Sequence, residues 1–392
     1  MAAQTSTQPW VRGPLWDGFW ILNGLWLAPL LFFLADGASD PFQSPADNVY
    51  LVITLLFWIG HRIGSSYLAY CTTAYRPLLR AQPVRFIIVP LLVAAAVFLF
   101  LLLPESVIPI PWVTRVFGLA IADYLFVSYH FAAQHYGVMS LYRVRGEEPR
   151  TKGTRRVDRI YALGIGGLIV IGAEMIVGRV AYQGDWLDPV LSRWWDPDPY
   201  HAWWEVYETP LFVTGRSIVA VATIAIALLA LRRRNVPRAL YVVSVGAMVW
   251  MAFEVSPLLF VMVWTANHWM VATGLASRVA AGDPDPGPSR WYRFWHAVNR
   301  RPAAVIGVLA LVSALLLAPM EVEAANEEEP SYAMRFVPDV MAWLLRAEVV
   351  PWLVALGFVT GFVHYLLDRA VYRLSDPAVR KAASGLLEKP RG

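Results

Sequence analysis

Long apolar runs, separated by short polar stretches, dominate the chain. A helix needs about 20 apolar residues to cross the hydrocarbon core of a bilayer. Ten runs reach or approach that length: Asp17–Ala35, Val49–Thr72, Val84–Leu103, Trp112–Tyr136, Tyr161–Val177, Leu211–Leu231, Ala239–Phe253, Pro257–Ser277, Ala303–Met320 and Val350–Leu367. The seventh is short, and it stands apart from the eighth only if Glu254, Ser256 and Pro257 make a tight turn. The pattern predicts an all-α polytopic transmembrane bundle of about ten spans, a single integral membrane domain over residues 1–392.

Charge in the connecting stretches alternates. The loops after the second, fourth, sixth and eighth runs are basic, with Arg76, Arg80 and Arg85; Arg143, Arg145, Arg150, Lys152, Arg155, Arg156 and Arg159; Arg232, Arg233, Arg234 and Arg238; and Arg278, Arg290, Arg293, Arg300 and Arg301. The others are acidic, as at Asp36, Asp40 and Asp47, at Glu105, from Asp185 to Glu208 and from Glu321 to Glu329. Basic loops stay in the cytoplasm, so both termini are expected there, in a membrane of the bacterial inner (plasma) type.

Composition sharpens this picture. Charged residues are 16% of the 392, against 57% apolar, whereas a soluble domain carries about 25% charged residues. The 18 Trp and 17 Tyr suit rings that gather at headgroup level. A net charge of +4 is too small to argue for nucleic acid. Cys71 is the only cysteine, which excludes an intramolecular disulfide and a thiolate metal cluster. The N-terminus lacks a basic region followed by a small-residue cleavage site, so the first apolar run is expected to be a true span.

Two connecting pieces stand out. Gly184–Pro210 is acidic and carries Trp186, Trp194, Trp195, Trp203 and Trp204; it reads as an extracytoplasmic segment anchored at the interface, with a lid over a lipid-facing cavity as the sharper alternative. Gly282–Pro302 opens with Asp283-Pro284-Asp285-Pro286-Gly287-Pro288, a stiff cytoplasmic linker, and continues into an interfacial Trp291–Trp295 segment.

Ionisable groups inside a bilayer are expensive and are functional candidates by default. The histidines fall on alternate runs: His61 on the second, His130 and His135 on the fourth, His268 on the eighth and His364 on the tenth. These runs all cross in the same direction. At 1.5 Å per residue, His61 lies roughly 18 Å below the outer face, His268 roughly 16 Å, His364 roughly 21 Å and His130 roughly 27 Å. Three share the middle of the membrane and His130 is expected somewhat deeper, in one cluster opening toward the cytoplasm. His135 is turned by about 140° from His130 on a helix of 3.6 residues per turn, so it is placed outside the ligand set.

Asp123, seven residues before His130, and Gln134, four after it, share its face and are the candidate catalytic residues, able to orient ligating imidazoles. Arg62, Arg216, Glu174 and Glu254 are further intramembrane charges that can pair with one another, and His201 and His296 read as surface loop residues. A short echo, Leu56-Phe57-x-x-x-His61 with Tyr67 against Leu125-Phe126-x-x-x-His130 with Tyr136, pairs the second and fourth runs.

Tyr129-His130-Phe131-Ala132-Ala133-Gln134-His135-Tyr136-Gly137 resembles the His-boxes of membrane desaturases and hydroxylases. It departs from them in lacking HxxxH and HxxHH clusters and the doubled histidines of an eight-ligand diiron centre. Single histidines spread over several helices look more like the all-His iron site of membrane carotenoid-cleaving oxygenases, or a bis-His haem protein.

The reading that follows is a membrane metalloenzyme. Its metal ion, iron first, would be held by His61, His130, His268 and His364, and its hydrophobic substrate would be a lipid or isoprenoid. Imidazole suits Fe, Cu and Zn. The alternatives are a proton- or ion-coupled transporter or channel, or a haem-binding electron-transfer or assembly protein. An inverted repeat would place matching residues on helices of opposite direction, and the histidines do not follow that pattern. Expected partners are membrane lipids or the substrate, with no nucleic acid.

Overall fold

A computed structural model describes residues 9–27, 29–30, 45–149, 151–182, 197–252, 257–316, 346 and 348–387. Among them every regular element is a helix. The long ones follow the apolar runs: α2 is Pro45–Cys71, α4 Val89–Leu102, α5 Trp112–Arg145, α6 Lys152–Tyr182, α7 Pro197–Arg232, α8 Val236–Ala252, α9 Pro257–Ala281, α11 Pro302–Leu315 and α12 Val350–Val371. Short helices are α1 (Pro14–Trp20), α3 (Arg76–Ala81), α10 (Arg290–Asn299) and α13 (Pro377–Ala382).

Local chemistry sets many of the ends. Proline, whose missing N–H costs nothing in a first turn, opens α1, α3, α4, α11, α12 and α13. Asp376 caps α13 by accepting from the Ala378 and Val379 N–H groups. The Ala378 contact, aided by Gln82 and Arg85, holds this carboxyl below its ordinary range against the opposing effect of burial.

Among the described residues four helices are long and apolar enough to cross a membrane, five if the bent pair α10–α11 counts as one. Their most apolar stretches are only 22–39% buried in protein. The outward faces are aliphatic, as at Leu91 (64% exposed) and Ile218 (63%). Such faces are stable against lipid and not against water. The protein is therefore a helical membrane protein. The helices α2, α6, α8 and α9 fall outside that apolar set, and α2 and α9 among them carry His61-Arg62 and Asn267-His268.

Some expectations change. The first predicted span, Asp17–Ala35, is not one helix in its described part: α1 stops at Trp20 and a 3₁₀ turn follows over Asn23–Leu25. Asp17, on α1, is a fully buried carboxylate that accepts from the N–H groups of Val11 (2.8 Å), Arg12 (3.0 Å) and Gly13 (3.3 Å) and from the Tyr142 hydroxyl (2.8 Å). It folds the preceding chain back over the bundle. The seventh and eighth predicted spans give α8, to Ala252, and α9, from Pro257; the tight turn expected between them falls on residues 253–256, outside the described residues. Of Gly184–Pro210, residues 184–196 lie outside the described residues, while the remainder is helical and forms the start of α7, which continues through Pro210. The acidic stretch Glu321–Glu329 also lies outside them. Tryptophans Trp291 and Trp295 sit on α10, which meets α11 at 108°. His296 is therefore helical, with Nδ1 3.9 Å from Asp283 Oδ2, rather than a loop residue. His201 likewise lies on α7.

The core of the bundle is α2, which packs against α9, α11 and α12, while α12 also packs against α4 and α5. Of the helices bearing the four candidate histidines, α2 thus packs against α9 and α12, and α12 packs against α5.

Candidate metal centre

His61, His130, His268 and His364 are all buried, and one ring nitrogen from each lies within 4.8 Å of the others. The rings form a four-sided cycle. His61 neighbours His268 (ring centroids 4.5 Å apart) and His364 (4.7 Å), and His130 neighbours the same two at 4.8 and 4.7 Å. Adjacent rings are nearly perpendicular, at 78–90°. His61 and His130 face each other across the cycle at 6.1 Å. Four helices deliver one imidazole each.

The nitrogens point inward. His130 Nε2 is 2.9 Å from His268 Nε2 and 3.1 Å from His364 Nε2. A neutral imidazole nitrogen is either one donor or one acceptor. A single Nε2 therefore cannot make two good hydrogen bonds to two other Nε2 atoms. Around an ion bound at about 2.0–2.1 Å by each imidazole, the separations become ordinary: ligands at right angles would lie about 3.0 Å apart and ligands in line about 4.2 Å. The donor set fits a metal ion.

The outer ring nitrogens have fewer partners. Ser65, one turn beyond His61 on α2, places Oγ 3.1 Å from His364 Nδ1. This contact orients the ring and leaves Nε2 for the centre, the usual role of an outer partner. His268 Nδ1 has no hydrogen-bond partner among the described residues.

His130 reaches the level of the others despite its greater distance from the start of its helix. The 34 residues of α5 extend about 51 Å at 1.5 Å per residue, well beyond a hydrocarbon core of about 30 Å. Counting depth from Trp112 therefore overestimates it. His135 points elsewhere, with Nδ1 2.8 Å from the Tyr241 hydroxyl and its ring 6.0 Å from that of Trp264. The separation of His130 and His135 by helix phase is as expected.

Asp123 and Gln134 make their described contacts to groups other than imidazole rings. Asp123 Oδ2 is 3.6 Å from Arg62 Nη2, and its Oδ1 accepts from the Tyr365 hydroxyl at 3.0 Å. Arg62 also donates to the Gly357 carbonyl (3.1 Å) and Thr360 Oγ1 (3.3 Å). The three helices α2, α5 and α12 are thus clamped directly beside His61. A Cβ at Gly361 would stand 2.9 Å from Asp123 Oδ1 and 3.3 Å from Arg62 Cζ, so a side chain there would push both partners of this clamp aside. Similarly, a Cβ at Gly60 would fall 2.2 Å from Trp269 Nε1, at the junction of α2 and α9 next to two of the histidines. Gln134 Nε2 donates to the backbone carbonyl of His268 at 3.3 Å and so fixes α9 against α5, touching no described ring. Of the other intramembrane charges, Arg216 lies 4.0 Å over the Trp250 ring, while the Glu174 side chain and all of Glu254 fall outside the described residues.

The sequence reading missed Ser65, Tyr365 and Asp368. Each has a simple signal: Ser65 and Asp368 follow His61 and His364 by four residues, one helical turn, and Tyr365 is the neighbour of His364. Asp368 Oδ2 is 3.8 Å from His130 Nε2.

Comparison with protein-family models, with curated proteins and with solved structures gives no match. Fold and site together define a helical membrane protein with a buried four-histidine cluster that could bind a metal ion.

Proposed function

We propose that the chain is a multi-pass metalloenzyme of a bacterial-type plasma membrane, binding one transition-metal ion through His61, His130, His268 and His364 and using it to oxidise a hydrophobic lipid or isoprenoid with dioxygen. The observation that carries this reading is the convergence of three Nε2 atoms at 2.9 and 3.1 Å, a contact set that a shared ion satisfies and hydrogen bonding cannot.

The ring arrangement suits a six-coordinate ion such as iron better than tetrahedral structural zinc. Four imidazoles in a cycle leave positions on either side of their mean plane, which six-coordinate iron uses and tetrahedral structural zinc does not. It disfavours haem, because the two perpendicular neighbours of any facing pair occupy the slab a macrocycle needs. Access from lipid is supported by aromatic side chains. Phe126, 54% exposed, stacks on Tyr365 at 6.1 Å, and Tyr365 lies 5.2 Å from the His130 ring. A substrate dissolved in the bilayer would approach between α5 and α12 along these rings.

Oxygen uptake in proteoliposomes containing a polyunsaturated or isoprenoid lipid tests the reading. Uptake that requires added iron, yields an oxidised lipid by mass spectrometry and disappears in His268→Ala is expected. Metal-dependent ion flux without uptake would replace oxidation by transport.

Ten spans with both termini cytoplasmic complete the proposal, on the strength of the loop charges. Reporters fused after Arg156, Arg234 and Pro288 should read cytoplasmic, and those after Asp40, Asp196 and Glu328 external. An external reading at any of the first three breaks the ten-span arrangement.

A further inference from the structure

We infer that Asp368 is a fifth ligand of the metal, making the centre four histidines and one carboxylate; this rests on the metal reading above. Three observations support it.

The first is which side of the ring the carboxylate faces. Groups that only orient a ligating histidine sit at its other ring nitrogen, as Ser65 does at His364 Nδ1. Asp368 Oδ2 instead lies 3.8 Å from His130 Nε2, the atom on which His268 and His364 converge. It is on the metal's side.

The second is distance. With a carboxylate oxygen and an imidazole nitrogen each about 2.0–2.2 Å from one ion, the two atoms stand about 3.0 Å apart at right angles and about 4.2 Å apart in line. The observed 3.8 Å falls between these limits, so one ion can contact this pair; Asp368 stands outside the group of four whose ligand atoms lie within 4.8 Å of one another, and its side chain turns toward them to complete the set. His364 and Asp368 share a helix face one turn apart, which lets α12 supply two ligands to the same point.

The third is charge. Four neutral imidazoles leave a divalent ion uncompensated in a low-dielectric interior, where an unpaired charge is costly. Asp123 cannot compensate it, since it already balances Arg62 at 3.6 Å. Among the described residues Asp368 is the carboxylate within 4 Å of a ring nitrogen of the cluster.

Titration of purified, metal-stripped protein with Co(II), followed by its visible absorption bands and by metal analysis, tests the assignment. Asp368→Asn keeps the shape and removes the charge; it should weaken Co(II) binding by more than about 100-fold, beyond the ~10–100-fold typical of a group that only orients a ligand. It should also strengthen the absorption bands, as a lower coordination number does. Asp368→Glu should restore both in part, and Asp123→Asn should leave the bands in place. If wild-type protein binds Co(II) and Asp368→Asn matches it in affinity and spectrum, Asp368 is no ligand and the four-histidine site stands alone. If wild-type protein binds no Co(II), the metal reading itself fails, and this inference with it. Thermal unfolding of each variant confirms that the comparison is made on folded protein.

Discussion

His61→Ala, His130→Ala, His268→Ala and His364→Ala will each lose most of the bound metal while the bundle stays folded. Each substitution removes one of four ligand atoms that lie within 4.8 Å of one another, and a first-row ion left with three imidazoles in lipid has neither the bonds nor the exclusion of water it had before. The fold should tolerate the change, because a polar contact between membrane helices is worth only about 0.6 kcal/mol on average. His135→Ala is the internal control. Its ring is as buried as the others but bonds to Tyr241 at 2.8 Å, so metal content should hardly change. Metal analysis of the five purified variants, with gel filtration to confirm folding, decides the matter. Full metal in all four ligand variants would make the cluster structural or proton-conducting.

Asp158→Ala is the substitution expected to damage the fold most. Asp158 forms an ion pair with Arg143 Nη2 at 2.6 Å and accepts from Arg238 Nη2 at 2.8 Å, with a side chain only 1% exposed. Glu148 holds the same Arg238 at 2.8 Å and accepts from Asn235 at 2.6 Å. Two guanidinium groups and two carboxylates are locked together where the end of α5 meets the starts of α6 and α8. Removing one carboxylate leaves two buried cations sharing one partner, and breaking such a pair typically costs about 3–5 kcal/mol. The double variant Asp158→Ala with Arg143→Leu should recover a large part of that loss, because it removes the uncompensated charge. Denaturant unfolding in micelles measures both. A loss below about 1 kcal/mol in the single variant would show that water reaches these groups.

The membrane-embedded, all-helical character was legible in the sequence because it depends on local length and polarity, and every long described helix coincides with an apolar run. The four histidines were legible for a related reason: lipid excludes ionisable groups that have no task, so the few that remain are conspicuous. What depended on contacts between helices was not. Asp123 seemed poised to orient an imidazole because it shares a face with His130, yet its partner is Arg62, on another helix and 61 positions away. Gln134 shares the same face and reaches a backbone carbonyl instead. Asp368 was lost for a smaller reason, since ending the tenth span at Leu367 placed it one residue outside the membrane, where a carboxylate attracts no notice. Asp17 shows the opposite error. A carboxylate at the head of an apolar run suggests a helix start at the interface, but here three backbone N–H groups and a tyrosine hydroxyl draw it into the core, and the helix ends within a few residues.

The central claim is that four buried histidines hold one ion, and metal stoichiometry of the wild-type protein tests it most directly. Protein purified without chelator, reloaded with Fe(II) under anaerobic conditions and desalted should retain one iron per chain, with an X-ray absorption spectrum dominated by imidazole nitrogen at about 2.0–2.2 Å and no porphyrin band in visible light. Iron, cobalt and zinc all washing out to background would contradict it.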